Sequence, residues 1–456
     1  MEEEKKFIKR RAAARQSAGF LGLRSHFGEG GGDTRPEKKE TLAQKQEERI
    51  HRLNHLRGRL GTLSPQRWVK AGETLGLAVL FGLNLYLLYP FFGHKDTVNV
   101  FSAPVIPVLA SASENFISFP YGVRIWLLVF LIFSPLSFYF FVREISGRKL
   151  TGLLSSFIVS LPIGIFLPLR VNLGLLAEDG AHIASLTFVP LVCLLLLKFL
   201  RRGSFWAGVF SALGTTLVAL TSPIGFVVLF TFMVILTFSE MLLGRGRLNF
   251  LRFVIVLLLT VGFSAFWYNP KFVILTIQSS QGQLVKNTLS NLLPISFFLL
   301  PLLGVFGFLL FENRPGLQPI FIAFFLTIAF GLFSLGAGVA HPSPSRFLPA
   351  FGISLAFLLG ILIVWFFDFL RLSEKRQLLA FGLMGLIFAL IVFIIGFFSG
   401  NLRELEQFQV LGTISSEQTV GLWEIKEQTG RLENLFGYAI SSLAALSVLI
   451  LKLKLR

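Results

Sequence analysis

The sequence predicts an all-α fold: a polytopic transmembrane bundle of about 12 helices behind a basic, partly disordered N-terminal tail. Three observations predict it. The 456 residues are 54% hydrophobic and only 15% charged, with 52 Phe, where a soluble domain carries about 25% charged residues. Mean hydropathy is +0.71, so lipid is the main solvent of such a chain. From Thr74 onward, apolar runs of membrane length alternate with short polar breaks, and about 20 apolar residues suffice for one crossing.

Residues 1–72 form the tail. They hold 17 of the 42 Lys and Arg and 9 of the 25 Asp and Glu. This stretch is too long and too polar for a cleaved secretory signal, so the first apolar span is expected to insert and stay. Gly28-Glu29-Gly30-Gly31-Gly32-Asp33 is a flexible break, and Ile50, Leu53, Leu56 and Leu60 recur at helical spacing among basic residues. One surface helix on the inner leaflet fits that pattern. The net charge of +17 does not require nucleic acid. No aromatic stacking platform or finger motif accompanies it, and no specific nucleic-acid partner is expected.

Residues 73–456 form the multi-pass domain. The predicted spans are 74–92, 124–142, 150–169, 182–200, 204–220, 224–243, 253–268, 290–311, 319–340, 348–370, 378–398 and 435–452. The pair 204–243 is divided at Thr221-Ser222-Pro223, where proline and small polar residues suit a tight hairpin. Charge supports this division. With the N-terminus inside, the short inner loops collect 16 of the 25 basic residues after residue 72, and the longer outer loops collect 9. That asymmetry is the positive-inside pattern. It puts both termini in the cytoplasm of a cell membrane, with membrane lipids as constant partners. The single cysteine, Cys193, lies in an apolar run, so no disulfide or cysteine metal site forms within the chain.

No predicted span carries a charge near its middle, and Glu240 and Asp368 fall near inner ends. Coupled transporters keep carboxylates at mid-depth, so this distribution weighs against one. The three histidines of the multi-pass domain, His94, His182 and His341, fall instead on the outer side. Asp96, the Glu178-Asp179 pair and Arg346 lie there too. Each singly is an ordinary polar residue at a helix end. Together they form a one-sided polar set.

Carboxylates in the first two outer loops suit glycosyl transfer. A general base must take the proton of an acceptor hydroxyl as that oxygen attacks an anomeric carbon. A second carboxylate pair could position the acceptor or a divalent cation such as Mg or Mn. An arginine would neutralise a phosphate leaving group. Arg170 and Lys271, near predicted outer ends, are reserve cations. The histidines with Asp96 and Asp179 are of the chemistry zinc takes, but their scattered spacing matches no zinc-ligand pattern.

These residues carry a resemblance. The chain resembles the GT-C superfamily of integral membrane glycosyltransferases, multispan enzymes that use polyprenyl-phosphate-linked sugars. Asp96 falls where that superfamily keeps an acid in the first outer loop, and Glu178-Asp179 where it often keeps an acidic pair in the second. The run Ala184 to Leu200, Leu220-Thr221-Ser222-Pro223, Phe266-Trp267-Tyr268-Asn269-Pro270 and Ser345-Arg346-Phe347 are similar to membrane proteins labelled 6-pyruvoyl-tetrahydropterin synthase-related, a label that implies no pterin chemistry here. The resemblance implies a sugar transferase with Asp96 as base. Glu178, Asp179, His182, His94 and His341 would line the substrate site, and Arg346 would hold the donor phosphate. The first-loop acid is a lone aspartate, and no sizeable outer domain follows the spans. The alternative reading is a transporter or flippase for a lipid-linked glycan, without bond chemistry.

Overall fold

In the computed structural model the described residues are 65–93, 103–176, 179–243, 246–279, 305, 315–340, 344–371 and 422–454. The chain divides into two compact units, 1–70 and 71–456. Of the first, only the opening turns of one helix fall within the described residues. Residues 1–64 of the tail, the predicted span 378–398 and all of the predicted span 290–311 except residue 305 lie outside them.

The described elements are helical. They are α1 (Pro65–Leu88), α2 (Val105–Ala112), α3 (Phe119–Ser146), α4 (Lys149–Val159), α5 (Leu167–Val171), α6 (Gly180–Arg202) and α7 (Phe205–Thr221). They continue with α8 (Pro223–Leu243), α9 (Gly246–Ser264), α10 (Pro270–Gln278), α11 (Gln318–Ala340), α12 (Leu348–Arg371), α13 (Leu422–Glu427) and α14 (Arg431–Lys454). Among them seven are long and apolar enough to cross a membrane, and α4, α7 and α11 are shorter apolar helices. The protein is a multi-pass membrane protein. The expected division of 204–243 is present: α7 ends at Thr221 and α8 starts at Pro223, with Ser222 extended between them. Pro223 has no N–H to lose there, so it opens α8 without cost.

Helix α6 is the axis of the bundle. It packs against α3, α7, α8 and α9, and its apolar stretch is the most enclosed of the seven, at 67% buried against 6% for α14. The core is largely aromatic. Phe141 meets Phe232 and Phe357, Phe232 meets Phe330, Phe330 meets Phe333, and Phe333 meets Phe347. This chain of rings ties α3, α8, α11 and α12 together and ends one residue from Arg346.

Polar contacts mark the two ends of the bundle. At the basic end, Glu73 takes Tyr139, Arg143 and Lys149, which fastens the start of α1 to α3 and α4. Arg148 pairs with Asp368. Arg201 reaches Glu240 and Gln318, and Gln318 also donates to Glu240. Asn249 donates to the Glu240 carbonyl. These bonds put the ends of α3, α6, α8 and α12 beside the starts of α4, α9 and α11, as alternating passes require. Glu240 and Asp368 sit at this end, where the sequence placed them.

One expected span is not continuous. The predicted span 150–169 divides into α4, of 11 residues, and the five-residue α5. At 1.5 Å per residue, α4 covers only about 16 Å, half of a hydrocarbon core. Pro162 and Gly164, the latter at φ +52°, fall in the break. Three short helices, α2, α10 and α13, were not foreseen.

Candidate functional site

The site is built at the end of the bundle opposite the basic cluster, around the first turn of α6. The chain enters it through a π-helical turn, Asn172–Leu176. Such turns are rare and concentrate at functional sites. Asp179 is the residue that caps α6, at φ −95° and ψ 35°, yet its side chain makes no capping bond. Its carboxylate instead faces Arg346. Gly180 lets the helix start there. A Cβ on it would stand 2.9 Å from the Gly174 carbonyl oxygen and run into Leu127 of α3.

Arg346 comes from a single turn of 3-10 helix, Pro344–Phe347, immediately before α12. Phe347 is held against Phe333, which anchors this turn to α11. Arg346 Nε lies 3.1 Å from Asp179 Oδ2, and both side chains are more than nine-tenths buried. The orientation is that of an ion pair rather than an aligned hydrogen bond. His182, one turn into α6 and fully buried, places Nε2 2.8 Å from the Arg346 carbonyl oxygen. A carbonyl only accepts, so Nε2 carries the hydrogen and Nδ1 presents a lone pair. That Nδ1 is buried without a partner. Ser185 donates to the His182 carbonyl at 2.5 Å, and Gly225 of α8 packs so closely that a Cβ there would collide with Ser185. Arg124 of α3, also buried, donates to the Leu175 carbonyl at 2.9 Å, so a second cation flanks the entry turn.

The arrangement holds one carboxylate, two guanidiniums and one imidazole at the end of an apolar bundle. It can orient an arginine for an anion, since Asp179 and the His182 bond fix both the side chain and the backbone of Arg346. Three of the residues singled out in the sequence, Asp179, His182 and Arg346, are brought together. His94, Asp96, Glu178 and His341 lie outside the described residues. Of the reserve cations, Lys271 is exposed on α10, and Arg170 is fully buried, donating to Ser134 near the middle of α3 rather than at an end of it. Among the described residues no group of three or more His, Cys, Asp or Glu could hold a metal ion, and Asp179 is engaged by Arg346.

The Phe266–Pro270 stretch proves to be a joint at this same end. Asn269 caps α10 by accepting from Phe272 N at 2.8 Å and donates to Asn434 at 2.9 Å. Tyr268 donates to the Ala219 carbonyl at the end of α7. Lys426 donates to the Phe266 and Trp267 carbonyls and lies over the Trp267 ring. Partial burial lowers the pKa of that ammonium. The motif therefore fastens α9, α10, α13 and α14 rather than offering reactive groups.

Fold and site define a class: a multi-pass helical membrane protein with an enclosed ionic cluster at one end. Compared with solved structures, the chain is similar to ArnT from Cupriavidus metallidurans, whose crystal structure is bound to undecaprenyl phosphate. The identity is 14%, the match covers 84% of this chain and 77% of that one, and the TM-score is 0.35. At that score the likeness assigns no residue. No family model matches, and no curated protein matches.

Proposed function

We propose that this chain is a GT-C-like membrane glycosyltransferase. It would transfer a sugar from a polyprenyl-phosphate donor on the outer face of a prokaryotic cell membrane, with both chain termini in the cytoplasm. The observation that carries the reading is the buried Asp179–Arg346 pair with His182 on the Arg346 carbonyl. It supports a preorganised cation at the bundle end that the charge pattern assigns to the outside.

In this reading the Asp96 carboxylate takes the proton of an acceptor hydroxyl. That oxygen attacks the anomeric carbon, and the bond from that carbon to the phosphate oxygen breaks with inversion. The polyprenyl phosphate leaves with the electron pair, and Arg346 neutralises its charge. Asp179 holds the guanidinium in place, Glu178 orients the acceptor, and His182 fixes the Arg346 turn. His94 and His341 line the acceptor side. A divalent cation would have to draw on Glu178 and on residues of the first outer loop.

The second reading, transport or flipping of a lipid-linked glycan without bond chemistry, is favoured by a different observation, the broken helix α4–α5. One pair of assays on the reconstituted protein separates the two. The glycosyltransferase reading expects glycosylated acceptor and released polyprenyl phosphate in equal amounts. Flux of intact donor across proteoliposomes with no bond breakage would overturn it in favour of transport.

A further inference from the structure

At the basic end of the bundle, bases meet acids. Arg143 and Lys149 pair with Glu73, Arg148 with Asp368, Arg201 with Glu240, and Arg202 approaches Glu144. Around the turn between α6 and α7 the pattern changes. Arg252 of α9 and Lys452 of α14 pair with no carboxylate among the described residues. Arg252 closes on the turn itself. Its Nη1 donates to the Leu200 carbonyl at 2.5 Å and its guanidinium lies over the Phe199 ring. It stands so close to Gly203 that a Cβ there would collide with it. Lys452 reaches the first turn of α7, with Nζ 4.7 Å from the centre of the Trp206 ring. Gly203 and Trp206 are three residues apart, at most about 10 Å. Two cations from two separate helices therefore flank one turn.

The surface beside them is open and apolar. Trp206 is 47% exposed, and Phe210 and Leu213 are exposed with it. Their spacing puts all three on one face of α7, and the Trp206 and Phe210 rings stack at 5.8 Å. This stripe runs about 10 Å from the end of the bundle into its apolar depth. Helices α7 and α14 both pack on α9. The α14 contact is a narrow seam of small residues, Ala444 against Gly262 and Gly437 against Ala265. Leu446, Leu449, Ile450 and Leu453 of α14 stay exposed. Lys452 thus stands at the head of an apolar surface, at the depth where headgroups begin. The Trp206 ring face is worth about 0.5–1 kcal/mol to an exposed ammonium, but it accepts no ordinary hydrogen bond. The three N–H donors of Lys452 still call for acceptors.

We propose that the α6–α7 turn, with Arg252 and Lys452, binds one anionic phospholipid. Its phosphate sits at the two cations, and an acyl chain lies along Trp206, Phe210 and Leu213. Charge complementarity selects this occupant. Basic groups between membrane helices attract anionic headgroups, whereas a zwitterionic headgroup brings its own ammonium and gains less from two cations that lack a carboxylate. The exposed stripe below the cations selects a lipid over free phosphate, which would leave those apolar side chains uncovered. The site lies at the opposite end of the bundle from the Asp179–Arg346 cluster, so it stands or falls independently of the proposed transferase activity.

The test uses the full chain reconstituted in phosphatidylcholine bilayers. Phosphatidylglycerol with brominated acyl chains is titrated in, and brominated phosphatidylcholine is titrated in a parallel series. The quenching of Trp206 is read as the difference between the wild type and Trp206→Phe. The expected result is half-maximal quenching at a mole fraction of phosphatidylglycerol about 5–25-fold lower than that of phosphatidylcholine, the worth of one to two cations at a headgroup. Lys452→Gln should melt with the wild type and lose about 5-fold of that preference. High salt should weaken the preference in the wild type. Equal quenching by the two lipids would overturn the proposal, as would an undiminished preference in Lys452→Gln. Displacement of phosphatidylglycerol by inorganic phosphate at constant ionic strength would assign the cations to a free anion and overturn it too.

Discussion

Asp179 at the start of α6 and Arg346 just before α12 meet at 3.1 Å in a buried ion pair. The pair joins the axial helix to the α11–α12 hairpin at the end of the bundle where the candidate chemistry is placed. Charges so enclosed are costly when single and tolerated when paired. Removing one partner should therefore cost more than removing both. Asp179→Leu is expected to lower stability by about 3–5 kcal/mol, whereas Asp179→Leu with Arg346→Leu should recover much of that loss. Denaturation of the purified protein in detergent reads the cycle. Additive losses would mean that the two side chains are not coupled.

Gly180 has no room for a methyl group between the Gly174 carbonyl and Leu127. Gly180→Ala is expected to push the first turn of α6 away from α3, at a cost of about 1–3 kcal/mol. Because Asp179 and His182 ride on that turn, hydrogen exchange at residues 179–183 should rise while α7 and α8 stay protected. A variant with wild-type exchange would show that the close approach is not needed.

Asn269 makes two bonds at once, a cap on α10 through its amide oxygen and a donor contact to Asn434 through its amide nitrogen. Asn269→Ala should cost about 1–2 kcal/mol for the cap, while Asn434 keeps its bond from Thr429. Proteolysis is expected to begin in residues 270–279. Unaltered cleavage kinetics would argue against the joint.

Glu73 gathers Tyr139, Arg143 and Lys149 at the basic end. Glu73→Gln should weaken all three contacts and lower stability by about 1–3 kcal/mol, with α1 exchanging faster than α3. Its distance from the Asp179 end means that transfer activity per folded molecule should not change. Loss of activity at full folding would tie α1 to the site in a way the contacts do not suggest.

Much of the architecture was legible in the sequence because lipid imposes it. Apolar length set most of the spans, and the Thr221-Ser222-Pro223 break divided α7 from α8 where sequence and structure agree. The charge pattern anticipated which residues share an end: Arg201 with Glu240, and Arg148 with Asp368. Asp179, His182 and Arg346 were legible as polar residues beside apolar runs, but their meeting was not. His182 and Arg346 lie 164 residues apart, and no local pattern encodes a contact of that range. The depth of Arg170 was missed for another reason. Pro162 and Gly164 were the signal, but membrane helices tolerate both residues, so a run containing them still reads as one span. The Asn269-Pro270 helix start, by contrast, follows the ordinary cap rule and could have been read.

The most direct test of the account is Asp96→Asn, assayed for sugar transfer from a polyprenyl-phosphate donor in reconstituted membranes. Asp96 is the proposed general base of the transfer. The variant is predicted to express, to melt with the wild type, and to lose about 10²–10⁴ in rate. Transfer at the wild-type rate would contradict the assignment.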